Sequence, residues 1–166
     1  EMYPLTLAAV QRERGHRTMV VAKRYTPLCR ALAESDLDHR ILRVGPYLDP
    51  LAAWALARLI RQFTPDVIHI HLSRDLALVQ MALAFAGRAP AVILHKHIAS
   101  AGNKRDLLHR YLYGHVDKVV AVSEFVRQSL LRSCPLGPDD VEVIFNGVDT
   151  RNFISAAELA PEERKR

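Results

Sequence analysis

Short apolar runs alternate with helical segments along the chain, and this alternation limits the possible folds more than any other feature. The runs fall at residues 17–22, 40–44, 66–71, 91–97, 118–122 and 141–145. They are five to seven residues long and largely apolar toward both faces, as expected of strands covered on both sides. Between them the sequence predicts helices. The first closes at Gly15, a natural C-cap. The next spans 49–63, with Pro50 in its first turn and Pro65 stopping it. A 3.6-residue period there runs through Leu51, Trp54, Ala55, Arg58, Leu59 and Gln62. Further helices are expected from Ser73, as N-cap, to Gly87, over 103–113, and from Ser123, as N-cap, to about Arg132. Strands separated by helices imply right-handed crossovers. The expected class is therefore α/β, a Rossmann-like doubly wound parallel sheet. Such sheets begin with a strand, yet this chain opens in the helix-like Glu1-Met2-Tyr3-Pro4. The first strand is expected to be missing.

The 166 residues suffice for one compact domain. No apolar run reaches the roughly 18 residues of a membrane-spanning helix. The longest candidate, 76–86, is too short and is interrupted by Gln80. Arg12 and Arg14 follow the first apolar stretch rather than precede it, which argues against a signal peptide. Cys29 and Cys134 alone cannot build a disulfide framework, so the cytoplasm is the expected compartment. A net charge of +5 and an isoelectric point near 9.5 favour an anionic partner. Nucleic acid is not the expected one, because lysines and arginines are spread along the chain and aromatics are not interleaved with them.

Ligands of open parallel sheets bind beyond the carboxyl ends of the strands. Two predicted strands end in His-x-His, as His69-Ile70-His71 and His95-Lys96-His97. Alternation places each pair on one face of its strand. Four imidazoles on adjacent strands offer a metal site, with Asp66 or Asp75 as a carboxylate partner. The plainer reading buries the first histidine of each pair, bonded to backbone, and leaves His71 and His97 nearer the mouth to touch ligand. Ser123-Glu124 reads as a helix cap with an acidic residue at the positive end of the dipole. Asn146-Gly147-Val148-Asp149 reads as a tight turn. The 103–113 segment sets Lys104, Arg105, His109 and Arg110 against Leu107, Leu108, Tyr111 and Leu112. Basic amphipathic helices of this kind either pack on their sheet or lie on an anionic membrane surface.

Taken in order, these segments resemble the N-terminal, acceptor-side domain of the retaining glycosyltransferases of family 4 (group 1), which have the two-domain GT-B architecture. The stretches that carry the resemblance are Glu1 to His16, Pro65 to His71, the strand ending in His97, Val116 to Glu124, and Val143 to Asp149 with Phe153. The resemblance implies an N-terminal Rossmann-like acceptor-binding domain over 1–153. Residues 154–166 are then a linker or the truncated start of a donor-binding domain that is absent. The whole enzyme would transfer a sugar, hexosyl-type, from a nucleoside-diphosphate sugar to an acceptor hydroxyl with retention. His97 would orient donor sugar or acceptor hydroxyls, and His71, Ser73 and Arg74 would line the acceptor side. Glu1 would stand at the donor-phosphate loop. No metal and no cofactor besides the donor are implied. The fragment alone is expected to be inactive. The partners are a nucleotide sugar, a glycan or glycolipid acceptor such as lipopolysaccharide core or another envelope lipid, and an anionic membrane touched by Lys104, Arg105 and Arg110.

Three other readings stand beside it. The first is a metal-dependent hydrolase using His69, His71, His95 and His97. The second is a stand-alone α/β module that binds an anionic ligand or a protein. The third is a nucleotide-sugar epimerase of the same architecture, which needs acid and base groups around the donor sugar.

Overall fold

The computed structural model describes residues 2–45, 49–100 and 102–147. The expectations for Glu1, for Val148, Asp149 and Phe153, and for the 154–166 linker lie outside the described residues.

Six parallel strands form two groups. Strands β1 (Val20–Lys23) and β2 (His39–Leu42) pair with each other. Strands β3 (Val67–Ile70), β4 (Ala91–Lys96), β5 (Lys118–Ala121) and β6 (Val141–Val143) form a four-stranded sheet in chain order. Helices α1 (Tyr3–Glu13), α2 (Pro27–Ala33), α3 (Pro50–Phe63), α4 (Leu76–Ala86), α5 (Leu107–Tyr113) and α6 (Glu124–Ser133) occupy the connections. This is the expected α/β class with parallel strands. Among the described residues no ladder joins β1 to β3. The two groups meet instead through side chains. The Lys23 ammonium lies 2.6 Å from the Asp75 carboxylate, and Arg17 donates to the Phe63 carbonyl while stacking over the Phe63 ring.

The larger core draws on β3–β6 and on helices α3, α4, α5 and α6, with Leu76, Leu94, Val119, Leu130 and Cys134 almost fully excluded from water. A smaller core joins α1, β1 and α2 around Leu32 and Leu37. Local chemistry accounts for the helix limits. Asp49 caps α3 by accepting from the Ala52 amide, and Thr64 ends it in the left-handed region. Gly15 and Gly87 take positive φ just after α1 and α4, a conformation open to glycine at little cost.

Several elements differ from the sequence reading. The strands are shorter at their ends, and α2, announced by the Thr26 cap and Pro27, fills the gap between the first two strands. In α3 the buried stripe is Ala52, Ala53, Leu56, Ala57 and Ile60, while Leu51 is 82 % exposed and Trp54 lies outside. Small residues win that face because α3 packs against α4, whose Ala82 and Ala86 share the same core. Ser73 does not cap α4. It opens a single 3-10 turn, Ser73–Asp75, and its hydroxyl is used elsewhere. Helix α5 begins at Leu107 because Asp106 caps it, accepting from the His109 amide, so Lys104 and Arg105 precede the helix. Asn146 and Gly147 continue irregularly after β6.

Candidate functional site

Register brings the two His-x-His pairs together. Ile70 pairs with Leu94, so the next residues along, His71 just past the end of β3 and His95 within β4, lie side by side. Their rings stack at 5.7 Å. His69 stacks on His71 at 4.6 Å and on His95 at 5.3 Å, and His95 stacks on His97 at 4.4 Å. His71 Nδ1 lies 3.3 Å from His97 Nε2, one nitrogen donating and the other accepting. Tyr3 of α1 closes the group edge-on, 5.0 Å from the rings of His95 and His97.

Crowding and burial keep these imidazoles neutral. Burial, then the charges of its three neighbours, pushes the His71 pKa down to about 3. Burial and the neighbouring His97 and His69 push His95 down to about 4. His69 and His97 shift in the same direction, again chiefly through burial. The expectation that His69 and His95 bond to backbone is not met. His69 Nε2 and both nitrogens of His95, a residue only 2 % exposed, have no hydrogen-bond partner. Their rings stack on the neighbouring imidazoles instead.

One nitrogen each from His69, His71 and His95 lies within 4.8 Å of the others. Zinc–nitrogen bonds of 2.0–2.1 Å in a tetrahedron hold their nitrogens about 3.3 Å apart, so these rings must close up to share an ion. The carboxylates expected to complete the set stand elsewhere. Asp75 pairs with Lys23, and Asp66 precedes β3 at the opposite end of the strand.

The other face of β4 carries different chemistry. Lys96 points away from the imidazoles and is 7 % exposed. Its ammonium donates to Ser73 Oγ at 2.7 Å, and no carboxylate pairs with it among the described residues. Burial, then the charge of Lys104, lowers its pKa from the ordinary value. Ser73 opens onto a pocket of about 280 Å³ lined also by Arg74, Lys104, His109, Leu112 and Tyr113. Tyr113 is buried, and burial followed by its hydrogen bond with Cys134 raises its pKa well above the ordinary value, so its phenol stays protonated.

The structure thus gathers His71 and His97 on one side of the mouth, and Ser73 and Arg74 on the other. The three expected membrane cations disperse. Lys104 lines the Ser73 pocket, and the Arg105 guanidinium donates to the carbonyls of Leu131 and Arg132. Arg110 faces a separate hollow with Arg105, Pro135 and Leu136. Glu1 lies outside the described residues. Sequence reasoning missed Tyr3, Lys96 and Tyr113. The first two carry a signal: Lys96 sits between two histidines of one strand face, and an aromatic opens the helix that the resemblance takes to the site. Tyr113 carries none.

A family model described as Glycosyltransferase Family 4 matches residues 1–152. Among solved structures, the chain is similar to a glycosyltransferase from Rickettsia africae ESF-5, with a TM-score of 0.74 at 22 % identity, covering 97 % of this chain and 42 % of that one. It is also similar to Anabaena Alr3699/HepE in complex with UDP and glucose, with a TM-score of 0.67 at 16 % identity, over 95 % and 44 % of the two chains. The apo lipopolysaccharide outer core galactosyltransferase WaaB gives a TM-score of 0.56 at 9 % identity, over 82 % and 48 %. The chain therefore spans less than half the length of each of these three structures. No curated protein matches it.

Proposed function

The chain belongs to glycosyltransferase family 4, and from that premise we propose that it is the acceptor-side half of a GT-B enzyme that transfers a hexosyl group from a nucleoside-diphosphate sugar to an acceptor hydroxyl, with retention. The observation that carries this reading is the pairing of His97 with His71 at the carboxyl ends of two adjacent parallel strands, where open α/β sheets take their ligands. A neutral imidazole both donates and accepts one hydrogen bond. His97 therefore suits the orientation of sugar hydroxyls better than the neutralisation of a departing diphosphate. His71 sets the tautomer of His97, and Ser73 and Arg74 line the acceptor side. Fixed positive charge for the leaving diphosphate comes from a donor-binding domain of the parent polypeptide, and this half alone is inactive. No bound metal takes part. The relative solved with UDP and glucose supports a nucleotide-sugar donor.

The acceptor is a glycan or glycolipid of the cell envelope, a reading supported by the likeness to a lipopolysaccharide galactosyltransferase. The enzyme works in the cytoplasm at the inner face of the membrane. Helix α5 supports peripheral attachment, since Leu107 is 84 % exposed and Leu108 and Tyr111 stand out beside Arg110. No helix among the described residues is long and apolar enough to cross a membrane.

The deciding experiment is nucleotide release from a panel of nucleoside-diphosphate sugars by the full parent polypeptide in chelator, with and without His97→Ala. Chelator-resistant release from one donor, reduced by the substitution, is expected. Release abolished by chelator would instead favour a metal held by His69, His71 and His95. Co-sedimentation with anionic vesicles at low salt tests the membrane reading, and failure to sediment removes it.

A further inference from the structure

The pocket beside Ser73 has a charge balance that the transfer reaction does not account for. Arg74 and Lys104 line it, and neither side chain makes a hydrogen bond or ion pair among the described residues. Beneath them Lys96 is buried with only a serine hydroxyl for company, held at 2.7 Å. Two carboxylates stand near, and both are already engaged. Asp106 accepts from the His109 amide and ring, at 3.0 and 2.5 Å, and Asp75 pairs with Lys23. Burying an ammonium without a counter-charge is costly, and a folded chain keeps such a group only where something compensates it. The neutral donors here, the Ser73 hydroxyl and the protonated Tyr113 phenol, suit an anion's oxygens equally well.

We propose that this pocket binds a phosphate group of the acceptor, with Arg74 and Lys104 contacting its oxygens directly and Lys96 supporting them through Ser73. The volume, about 280 Å³, admits a phosphate and part of the sugar that bears it. Charge-assisted hydrogen bonds to phosphate oxygens are the strong ones, and a guanidinium beside an ammonium is the pairing that phosphate recognition favours. Lys96 is a positioning residue. It donates to the Ser73 oxygen and holds it at the pocket wall, which leaves the hydroxyl hydrogen available to donate to an anion. The acceptor assignment rests on the glycosyltransferase reading, while the phosphate site itself does not.

The test is titration of the full-length protein with inorganic phosphate, a hexose 6-phosphate and the parent hexose, followed by phosphorus NMR and by thermal shift. Hexose phosphate should bind at least about tenfold more tightly than either hexose or inorganic phosphate. Arg74→Ala and Lys104→Ala, both at the accessible rim, should each weaken it by on the order of tenfold, the value of one charge-assisted bond. Arg61→Ala, at a distant exposed arginine bonded to the Phe85 carbonyl, should leave it unchanged. Lys96→Met should weaken phosphate binding and leave binding of the parent hexose as it was. Titrations that are the same for the wild type and the Arg74→Ala, Lys104→Ala double variant overturn the site. Hexose phosphate bound no better than inorganic phosphate overturns the acceptor assignment. Failure of the donor panel to release nucleotide would remove the transferase reading and leave these titrations standing.

Discussion

The carboxyl end of β4 presents two unlike surfaces within three consecutive residues. On one face His95 and His97 join His69 and His71 in a stack of neutral rings under Tyr3. On the other, Lys96 places a buried cation under a basic pocket. Both faces bury polar atoms, yet they resolve the cost differently. The imidazoles give up protons and leave nitrogens unpartnered, whereas the ammonium keeps a hydroxyl and borrows room for an anion. A period-two strand at a sheet mouth can thus serve one ligand with hydrogen bonds that carry no charge and another with charge.

The largest effect expected from breaking this arrangement is on the shared strand itself. Leu94→Ala, beside Lys96 and fully buried, should cost about 2–5 kcal/mol in denaturant unfolding and disturb both faces together. His97→Ala should spare stability and lower kcat/KM of the parent enzyme by about a hundredfold, the usual loss for one preorganised hydrogen-bonding group. Acid should separate the faces. The folded-state pKa values of His71 and His95, about 3 and about 4, lie below the ordinary 6.5, so the unfolded chain binds more protons between these values. Stability from these histidines is therefore complete above about pH 6.5 and is lost as pH falls toward 4. Each contributes a slope of up to about 1.4 kcal/mol per pH unit, measurable as a Tm that drops with acid. His95→Leu should flatten that slope and raise stability at neutral pH by about 1 kcal/mol, because it removes two unpartnered buried nitrogens. A loss of more than that amount would show that the ring has a partner in solution. The smallest effect is expected for Lys96→Met, within about 1 kcal/mol of the wild type, since an apolar chain of similar length replaces a buried cation.

Much of this arrangement is legible in the sequence. The strand runs lie where expected because Val, Ile and Leu on both faces leave few alternatives. The histidine faces follow from alternation, and the same alternation turns Lys96 the other way. What escapes reading depends on packing between segments far apart in the chain. Helix α2 is too short to show a period, although Thr26 and Pro27 announce it. Leu51 and Trp54 draw the eye in α3, but the alanine stripe that allows close approach to α4 decides which side is buried. Nothing in Ser73 says that it will meet Lys96 rather than cap α4. Asp106 captures the helix start that the pattern of Lys104 and Arg105 assigns earlier.

Chain order in the four-stranded sheet has a consequence for how the molecule comes together. Each ladder joins residues about two dozen positions apart, and every strand lies beside its neighbour in sequence. Loop-closure entropy rises only logarithmically with length, so each added strand meets nearly the same cost and none waits for a distant end of the chain. The two faces of β4 nevertheless differ in what they require. One ladder, β3 with β4, suffices to bring His71 beside His97. The basic pocket needs that ladder, the turn at Ser73 and the docking of α5, so its walls come from successive crossovers. Slackening the β4-to-β5 crossover that carries Lys104 and α5 should blur the charged face while leaving the ring stack intact.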